Sequence, residues 1–466
     1  MPYGHDGVVG GRQMNLTDKR FLVAGLGKSG IAAAELLQQK GISFCLYDGN
    51  KEFDKEAFYQ KNPSLREIMI FLGEVPGEQK EKIDILVLSP GIATDLPMVD
   101  ELRKAGAAVW GEIELAYAFA KGRLLAVTGT NGKTTTTALL GEILKNYFAD
   151  VKVVGNIGIP YTSVAADTTE ETVTAAEISS FQLETIHTFA PCVTAILNIT
   201  PDHLNRHHTM ENYRKIKENI TKNQTKDDLC VLNYEDEALR DFGERLHTKV
   251  MWFSSRRKID NGLYLEGDTI FLSEGGALTE IVKTGELNLL GRHNYENVMA
   301  AVAMALGIGV PLSKIREVLF RFTAVEHRIE YVAQKRGVRF YNDSKATNPD
   351  AAIQGIGAMN CPTYLIGGGC DKGSAYDEWI DAFGGKVKEL ILIGQTREKI
   401  AKTAREHGFF AVAMADSLED AVRLCYEKAV PGDAVLLSPA CASFGMFLNY
   451  EERGRIFKEI VRSLEE

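Results

Sequence analysis

LLAVTGTNGKTT, spanning Leu124–Thr135, decides the fold. An apolar run leads straight into a Gly-rich turn. Lys133 and Thr134 follow, and a helical pattern continues to Asn146. A buried strand, a glycine nest and a helix N-terminus, in that order, form a phosphate cradle, because backbone N–H groups of the turn point at a bound anion. A lysine just inside such a helix reaches the β/γ-phosphates, and the next hydroxyl ligates Mg²⁺. The spacing departs from the usual P-loop, since only Thr130 and Asn131 separate Gly129 from Gly132. Gly129, Thr130, Asn131, Gly132, Lys133, Thr134 and Thr135 are the candidate ATP-binding residues.

The same alternation of strand and helix extends in both directions. Upstream, Arg20–Gly25 and Ile42–Asp48 read as strands around the helical stretch Ser29–Lys40, and Ile85–Pro90 as a later strand. The turn between the first strand and helix is Gly25-Leu-Gly-Lys-Ser-Gly30, and Asp48 ends the second strand where such folds place a ribose-binding carboxylate. NAD is the default ligand of this pattern. A UDP group could use the same donors, and a helix-packing glycine turn is the structural alternative. Gly111–Glu112 marks a hand-over to the second unit.

Downstream, Thr172–Ser179 and Cys192–Thr200 are strand-like, Gly262–Leu287 reads as hairpins, and Asn294–Leu306 as a helix. A third unit begins near Ala324. Its strands are Val338–Ser344, Thr363–Gly368, Leu390–Gly394, Phe410–Asp416 and Ala434–Pro439, and a last helix runs from Glu451 to Glu466. The expected fold is α/β in three domains: a Rossmann-like domain over 1–112, a central P-loop ATPase-like domain with an added hairpin sheet over 113–324, and a second Rossmann-like domain over 325–466.

Composition agrees with several globular domains in 466 residues: 45% are hydrophobic and 25% charged. The formal charge is -10, which argues against a nucleic-acid or membrane-surface binder. Seven scattered cysteines, with no CxxC pair, argue against a disulfide framework or a cysteine zinc site. They read as buried reduced thiols. The first twenty residues lack the apolar core of a signal peptide, and the best apolar run, Val298–Leu312, is too short to span a bilayer. A soluble cytoplasmic protein, without membrane insertion, is expected.

Other polar groups sit at strand ends, where open α/β sheets bind ligands. Glu177 lies in Ala-Glu-Ile-Ser-Ser, and Asp202-His203 follows the strand ending at Thr200. Taken alone, each reads as an ordinary strand or surface residue. Beside a P-loop, a carboxylate and a neutral imidazole could hold a metal ion. His207 and His208 read as solvated loop residues. The third unit carries Asn342-Asp-Ser-Lys-Ala-Thr-Asn348, Gly367-Gly-Gly-Cys-Asp-Lys372 and Ser438-Pro-Ala-Cys-Ala-Ser443 at three strand ends. Turn chemistry explains their Gly and Asx residues. It does not explain Lys345 and Lys372, which suit a carboxylate or phosphate.

GTNGKTT, GNIG (Gly155–Gly158), ISSFQLE after Glu177, HNYEN (His293–Asn297), EHR (Glu326–Arg328), NDSKATN and LLSPACAS occur in the order found in the Mur ligases. The chain resembles that family from about Asn15 onward. DSKATN with SPACAS resembles the branch that adds D-glutamate, as opposed to L-alanine, a diamino acid or D-Ala-D-Ala. The resemblance implies ATP-dependent ligation of D-glutamate to UDP-N-acetylmuramoyl-L-alanine through an acyl phosphate, in cytoplasmic peptidoglycan precursor synthesis. It implies ATP and Mg²⁺, and a monomer is expected.

The resemblance further implies roles by position. Gly27, Lys28, Ser29, Asp48 and Ser89 would lie around UDP, and Asn156, Ser179, Gln182 and His203 around the muramoyl-alanine part. Lys133, Thr134, Asn294, Asn297, Arg328 and Asp343 would serve ATP. Thr134, Glu177, His203 and Lys217 would serve the metal site, with Lys217 carbamylated. Lys345, Thr347, Lys372, Ser443, Phe444 and Tyr450 would face D-glutamate. Lys133, Glu177, His203, Lys217 and Lys345 form the implied catalytic set. Phe444-Gly-Met-Phe447 departs from the Leu-Asp-Gln-Phe of many members. A folylpolyglutamate synthetase-like ligase would share the GTNGKT loop but lack the first domain. A nucleotide-regulated binding protein would be distinguished by tight NADH binding.

Overall fold

The computed structural model describes residues 16–156, 158–289, 291–323, 326–371 and 373–465. They form two compact units, one made of the described residues up to 281 with 296–318 and one of those in 282–295 with 319–465. The first unit contains two sheets. Strands β1 (Phe21–Ala24), β2 (Phe44–Asp48), β3 (Ile70–Leu72), β4 (Ile85–Leu88) and β5 (Ala108–Gly111) pair in the order 3-2-1-4-5, all parallel. FLVA and ILVL are buried along their whole length, as expected for central strands covered on both faces. The order reverses between β1 and β4, and the Gly25 turn and Ser89 meet at that switch point. Gly30 is fixed by sterics: a Cβ there would stand 1.8 Å from the Gly25 carbonyl oxygen.

The helix Glu112–Phe119 follows β5 directly. Glu114 is fully buried, and its carboxylate accepts from the backbone N–H of His187 (2.8 Å), Thr188 (2.6 Å) and Phe189 (3.1 Å) and from the Thr188 hydroxyl (2.6 Å). Glu112 accepts from the Thr162 N–H (2.7 Å) and hydroxyl (2.8 Å). Burial pushes the Glu112 carboxyl up, and these donors oppose the shift. The hand-over thus rests on two fully hydrogen-bonded carboxylates, which are tolerable in the interior for that reason.

The central sheet comprises β6 (Arg123–Thr128), β7 (Val151–Gly155), β8 (Val173–Glu177), β9 (Val193–Ile196), β10 (Leu229–Asn233), β11 (Lys249–Ser254), β12 (Gly262–Glu266), β13 (Thr269–Glu274) and β14 (Ala277–Lys283). Their order is 14-13-12-11-10-9-6-8-7. β12 and β13 are the expected antiparallel hairpin. β6 lies between β8 and β9, parallel to both. That places the P-loop between the ends bearing Glu177 and Asp202-His203.

The second unit holds β15 (Glu330–Lys335), β16 (Val338–Asn342), β17 (Thr363–Gly367), β18 (Val387–Leu392), β19 (Val412–Met414) and β20 (Ala434–Leu437), ordered 15-16-20-17-18-19. β15 is an antiparallel edge strand absent from the sequence reading; it is charged at both ends and no residue of it is fully buried, as suits an edge. β16, β20 and β17 are neighbours and parallel, so all three polar loops leave one sheet edge side by side. All seven cysteines are free: Cys45, Cys230, Cys425 and Cys441 are buried and the other three half-buried. Among the described residues no helix is long and apolar enough to cross a membrane.

Candidate active site

The turn after β6 depends on glycine for its backbone conformation. Gly132 caps the helix Lys133–Lys145 with φ +87°, a conformation side chains rarely adopt, and a Cβ there would lie 2.2 Å from the Asn297 amide oxygen. The loop is held from behind. The Thr130 N–H donates to the Asn198 carbonyl (2.9 Å), and the Asn131 N–H to the Asn198 side-chain oxygen (2.8 Å). The Thr130 hydroxyl lies 3.2 Å from the Tyr213 hydroxyl. Lys133 donates to the carbonyls of Gly129 and Thr130, each at 2.8 Å. The Thr136 hydroxyl donates to the Asn297 side-chain oxygen (3.3 Å).

Glu177, at the end of β8, is buried, and its carboxylate accepts from the Asn156 amide (3.2 Å). Ser179 and Gln182 form a reciprocal capping box on the short helix Ser180–Leu183. That local role was not read from the sequence. His203 is half-exposed, 3.4 Å from the Asp202 carboxylate, with its ring edge-on to Phe181 at 4.8 Å.

The structure corrects the reading of His207 as a solvated loop residue. Its side chain is 1% exposed, lies between the rings of Phe181 (5.5 Å) and Tyr213 (5.2 Å), and its Nε2 is 3.0 Å from the Ser180 hydroxyl. Burial pushes its pKa down. His208 is exposed, as expected.

Spacing alone makes Lys217 a solvated lysine on a charged helix. It is instead 1% exposed. Its Nζ donates to the Gly129 carbonyl (2.8 Å) and stands 4.7 Å from the Tyr213 ring centre. Burial, then the neighbouring Lys133 ammonium, push its pKa well below the usual lysine value. Lys215 points elsewhere, exposed and paired with Glu211. Among the described residues, no three His, Cys, Asp or Glu side chains are grouped to hold a metal ion.

Around the first turn, Gly27 caps the helix Lys28–Gln39. The Asp48 carboxylate accepts from the Leu26 N–H (3.4 Å), and the Ser89 hydroxyl donates to the Gly25 carbonyl (3.0 Å). Ser29 is half-buried, and Lys28 donates to the Gly158 carbonyl.

In the second unit, Asn294 is buried, and Arg328 sits between His327 and Ile329, both at positive φ. Asp343 is buried and accepts from the Ser438 hydroxyl (2.7 Å). The Lys345 ammonium stands 5.8 Å from the Tyr450 ring centre, and the Thr347 N–H donates to the Lys345 carbonyl (2.9 Å). Ser443 is buried and Phe444 exposed. Lys372 lies outside the described residues.

Sequence reasoning missed Arg453, which is fully buried. It donates to the Ser344 hydroxyl (2.9 Å) and carbonyl (2.8 Å) and to the Cys441 carbonyl (3.2 Å), tying two of the three loops together. On the sequence it is one charge among many on a terminal helix.

Asp343 gives a pH prediction. Burial pushes its carboxyl from 3.8 up to about 7, against the lowering by Arg328 and the Ser438 hydroxyl. The folded protein then keeps a proton that the unfolded chain releases near pH 4. Stability should therefore fall as pH rises between about 4 and about 7, because the folded state binds the extra proton there. Asp343→Asn should flatten that slope in melting temperatures measured across the window. A variant whose profile still parallels the parent's would remove Asp343 as its source.

Three family models match the chain: a Mur ligase MurD-like N-terminal domain over 19–111, a Mur ligase middle domain over 127–305, and a Mur ligase glutamate ligase domain over 327–441. A UDP-N-acetylmuramoylalanine--D-glutamate ligase of Lachnoclostridium phytofermentans is 55% identical over 97% of this chain and 100% of its own length. A Lachnospira eligens protein of the same name is 54% identical over the same shares. Among solved structures, a UDP-N-acetylmuramate-alanine ligase from Thermotoga maritima superposes with a TM-score of 0.59 at 19% identity, covering 96% of this chain and 99% of that one. The MurF ligase of the same organism, in complex with ADP, gives a TM-score of 0.58 at 17% identity over the same shares. These structures support the three-domain α/β fold.

Proposed function

The chain belongs to the Mur ligase family, and from that membership we propose how its residues carry out ATP-dependent ligation of D-glutamate to UDP-N-acetylmuramoyl-L-alanine in peptidoglycan precursor synthesis. The observation that carries the reading is the 55% identity, over nearly the whole length of both chains, to a relative named for that reaction.

A carboxylate is a poor acyl donor. Attack of the L-alanyl carboxylate oxygen on the γ-phosphorus of ATP releases ADP and makes an acyl phosphate. The D-glutamate amine then attacks the acyl carbon, loses a proton, and phosphate leaves. Positioning and charge neutralisation account for most of what such a protein does. In this reading the loop 129–135 holds the phosphates, and Lys133 turns from its loop carbonyls toward the γ-phosphoryl group. Asn294, Asn297, Arg328 and Asp343 also serve ATP. The Gly25 turn with Asp48 and Ser89 holds UDP, and Asn156, Ser179, Gln182 and His203 the sugar-peptide part. Lys345, Thr347, Lys372, Ser443, Phe444 and Tyr450 face D-glutamate.

The buried Glu177 carboxylate, the Thr134 hydroxyl and the His203 imidazole are donors suited to Mg²⁺ beside phosphate oxygens. When bound, Mg²⁺ neutralises the charge of the transferring group. Lys217 joins that set only as its carbamate. We assign domains at 1–112, 113–324 and 325–466, a cytoplasmic location and a monomer to the same reading.

Phosphate release with ATP and UDP-N-acetylmuramoyl-L-alanine tests it. D-Glutamate should support turnover, and L-glutamate, L-lysine and D-Ala-D-Ala should not. Turnover with one of those three in its place would move the chain to a sister activity.

A further inference from the structure

Arg206 lies three residues after His203, in the short helix Leu204–His207, and has no role in the reading above. Its guanidinium is mostly buried and makes four hydrogen bonds and one ring contact. Nε and Nη2 form a fork on the Glu184 carboxylate at 3.1 and 2.7 Å. Nη2 also donates to the Ile92 carbonyl (2.9 Å), and Nη1 to the Pro90 carbonyl (3.2 Å). Its flat face covers the Phe181 ring at 4.3 Å. Glu184 is also 3.5 Å from the Thr94 hydroxyl and 3.4 Å from His207 Nδ1.

Pro90 and Ile92 lie one and three residues after Ser89, just past the end of β4 in the UDP-side sheet. Phe181 belongs to the Ser179 capping helix of the central sheet, and its ring meets His203 edge-on at 4.8 Å. One guanidinium therefore joins the turn beside the candidate nucleotide-sugar crevice to the ring that touches the His203 imidazole. Only a planar, five-donor fork can serve two carbonyls and a carboxylate while stacking on a ring. Ser89, Pro90, Ile92, Phe181, Gln182 and Arg206 line one small cavity at this junction, too small for more than a water-sized occupant.

We propose that Arg206 is a positioning residue that couples occupancy of the UDP-side crevice to the placement of His203. The inference rests on the proposed ligase reaction, in which these two places hold opposite ends of one substrate. If the first-domain turn and His203 are held in register, binding the uridine end aligns the L-alanyl carboxylate. Without the guanidinium the two ends are located independently. Misplacement of that kind affects the UDP-linked substrate and turnover, and leaves ATP recognition by the P-loop alone.

The test compares the full-length parent with Arg206→Met and Arg206→Lys, reading kcat and the separate KM values for the three substrates. Met keeps the stem that covers Phe181, and Lys keeps the charge without the fork. In both variants the KM for UDP-N-acetylmuramoyl-L-alanine should rise about tenfold and kcat should fall about tenfold or more, with the KM for ATP within about twofold of the parent. Parent-like constants for either folded variant would overturn the proposal. So would equal rises in all three KM values, or a lowered melting temperature with unchanged constants below it, since those mark a structural role. If Arg206→Met does not fold, the double variant Glu184→Gln/Arg206→Met, which leaves no unpaired buried carboxylate, carries the same expectation. A parent without D-glutamate-dependent turnover would instead reject the ligase reading itself.

Discussion

Lys133→Ala is expected to lower turnover at least about 100-fold in a protein that still folds, the size of effect seen when one preorganised transition-state contact is removed. Lys133 is the first residue of its helix and half-buried, and its ammonium rests on the Gly129 and Thr130 carbonyls. The loop does not depend on it for shape. Asn198 bonds the N–H groups of Thr130 and Asn131, and Lys217 also donates to the Gly129 carbonyl. Deleting the side chain therefore removes a positive charge from the loop proposed to hold the phosphates and leaves the bonds from Asn198 and Lys217 that hold the loop in place. Phosphate release under saturating substrates, with a melting curve as control, measures both halves. A folded variant with near-normal turnover would remove Lys133 from the transition state.

The P-loop was legible because its signal is local: a strand buried along nearly all its length, two glycines and a lysine in one stretch. The three strand-end loops of the last sheet were legible for the same reason. That they share one edge follows from their places at the C-terminal ends of parallel strands, whereas their adjacency comes from the strand order 16-20-17. Strands such as Ile70–Leu72 and Glu330–Lys335 escaped, being three residues long or polar at a sheet edge. Side chains whose role depends on distant partners escaped too. Arg453 reaches Ser344 and Cys441, Arg206 reaches Pro90 and Ile92, and His207 is enclosed by Phe181 and Tyr213. Nothing in the charged stretches around these residues separates them from solvated neighbours.

Lys217 shows how far that limit reaches, and its replacement should be the more damaging of the two. Its helix reads as a charged surface helix, and Lys215, two residues away, behaves as one, paired to Glu211 in solvent. The two side chains point about 200° apart around the helix, so one cannot stand in for the other. Lys217 is buried behind the Gly129–Gly132 loop, near the Lys133 ammonium, and burial first and that charge second depress its pKa. A lowered pKa favours the neutral amine, the form that adds CO₂: nitrogen bonds the carbon, a proton leaves to solvent, and the amine becomes a carboxylate-like anion. That anion suits the donor set of Glu177 and His203, which an ammonium does not. Lys217→Ala is therefore expected to lose at least about 1,000-fold in turnover, since both the metal-side charge and the loop contact go. Acetate or formate should restore part of the activity by supplying the missing carboxylate. With ¹³C-bicarbonate, the unsubstituted protein should show a carbamate resonance that Lys217→Ala lacks, whatever the activity. Full turnover of Lys217→Ala without an added carboxylate would refute the role, and so would an unmodified lysine at 217 in the active protein.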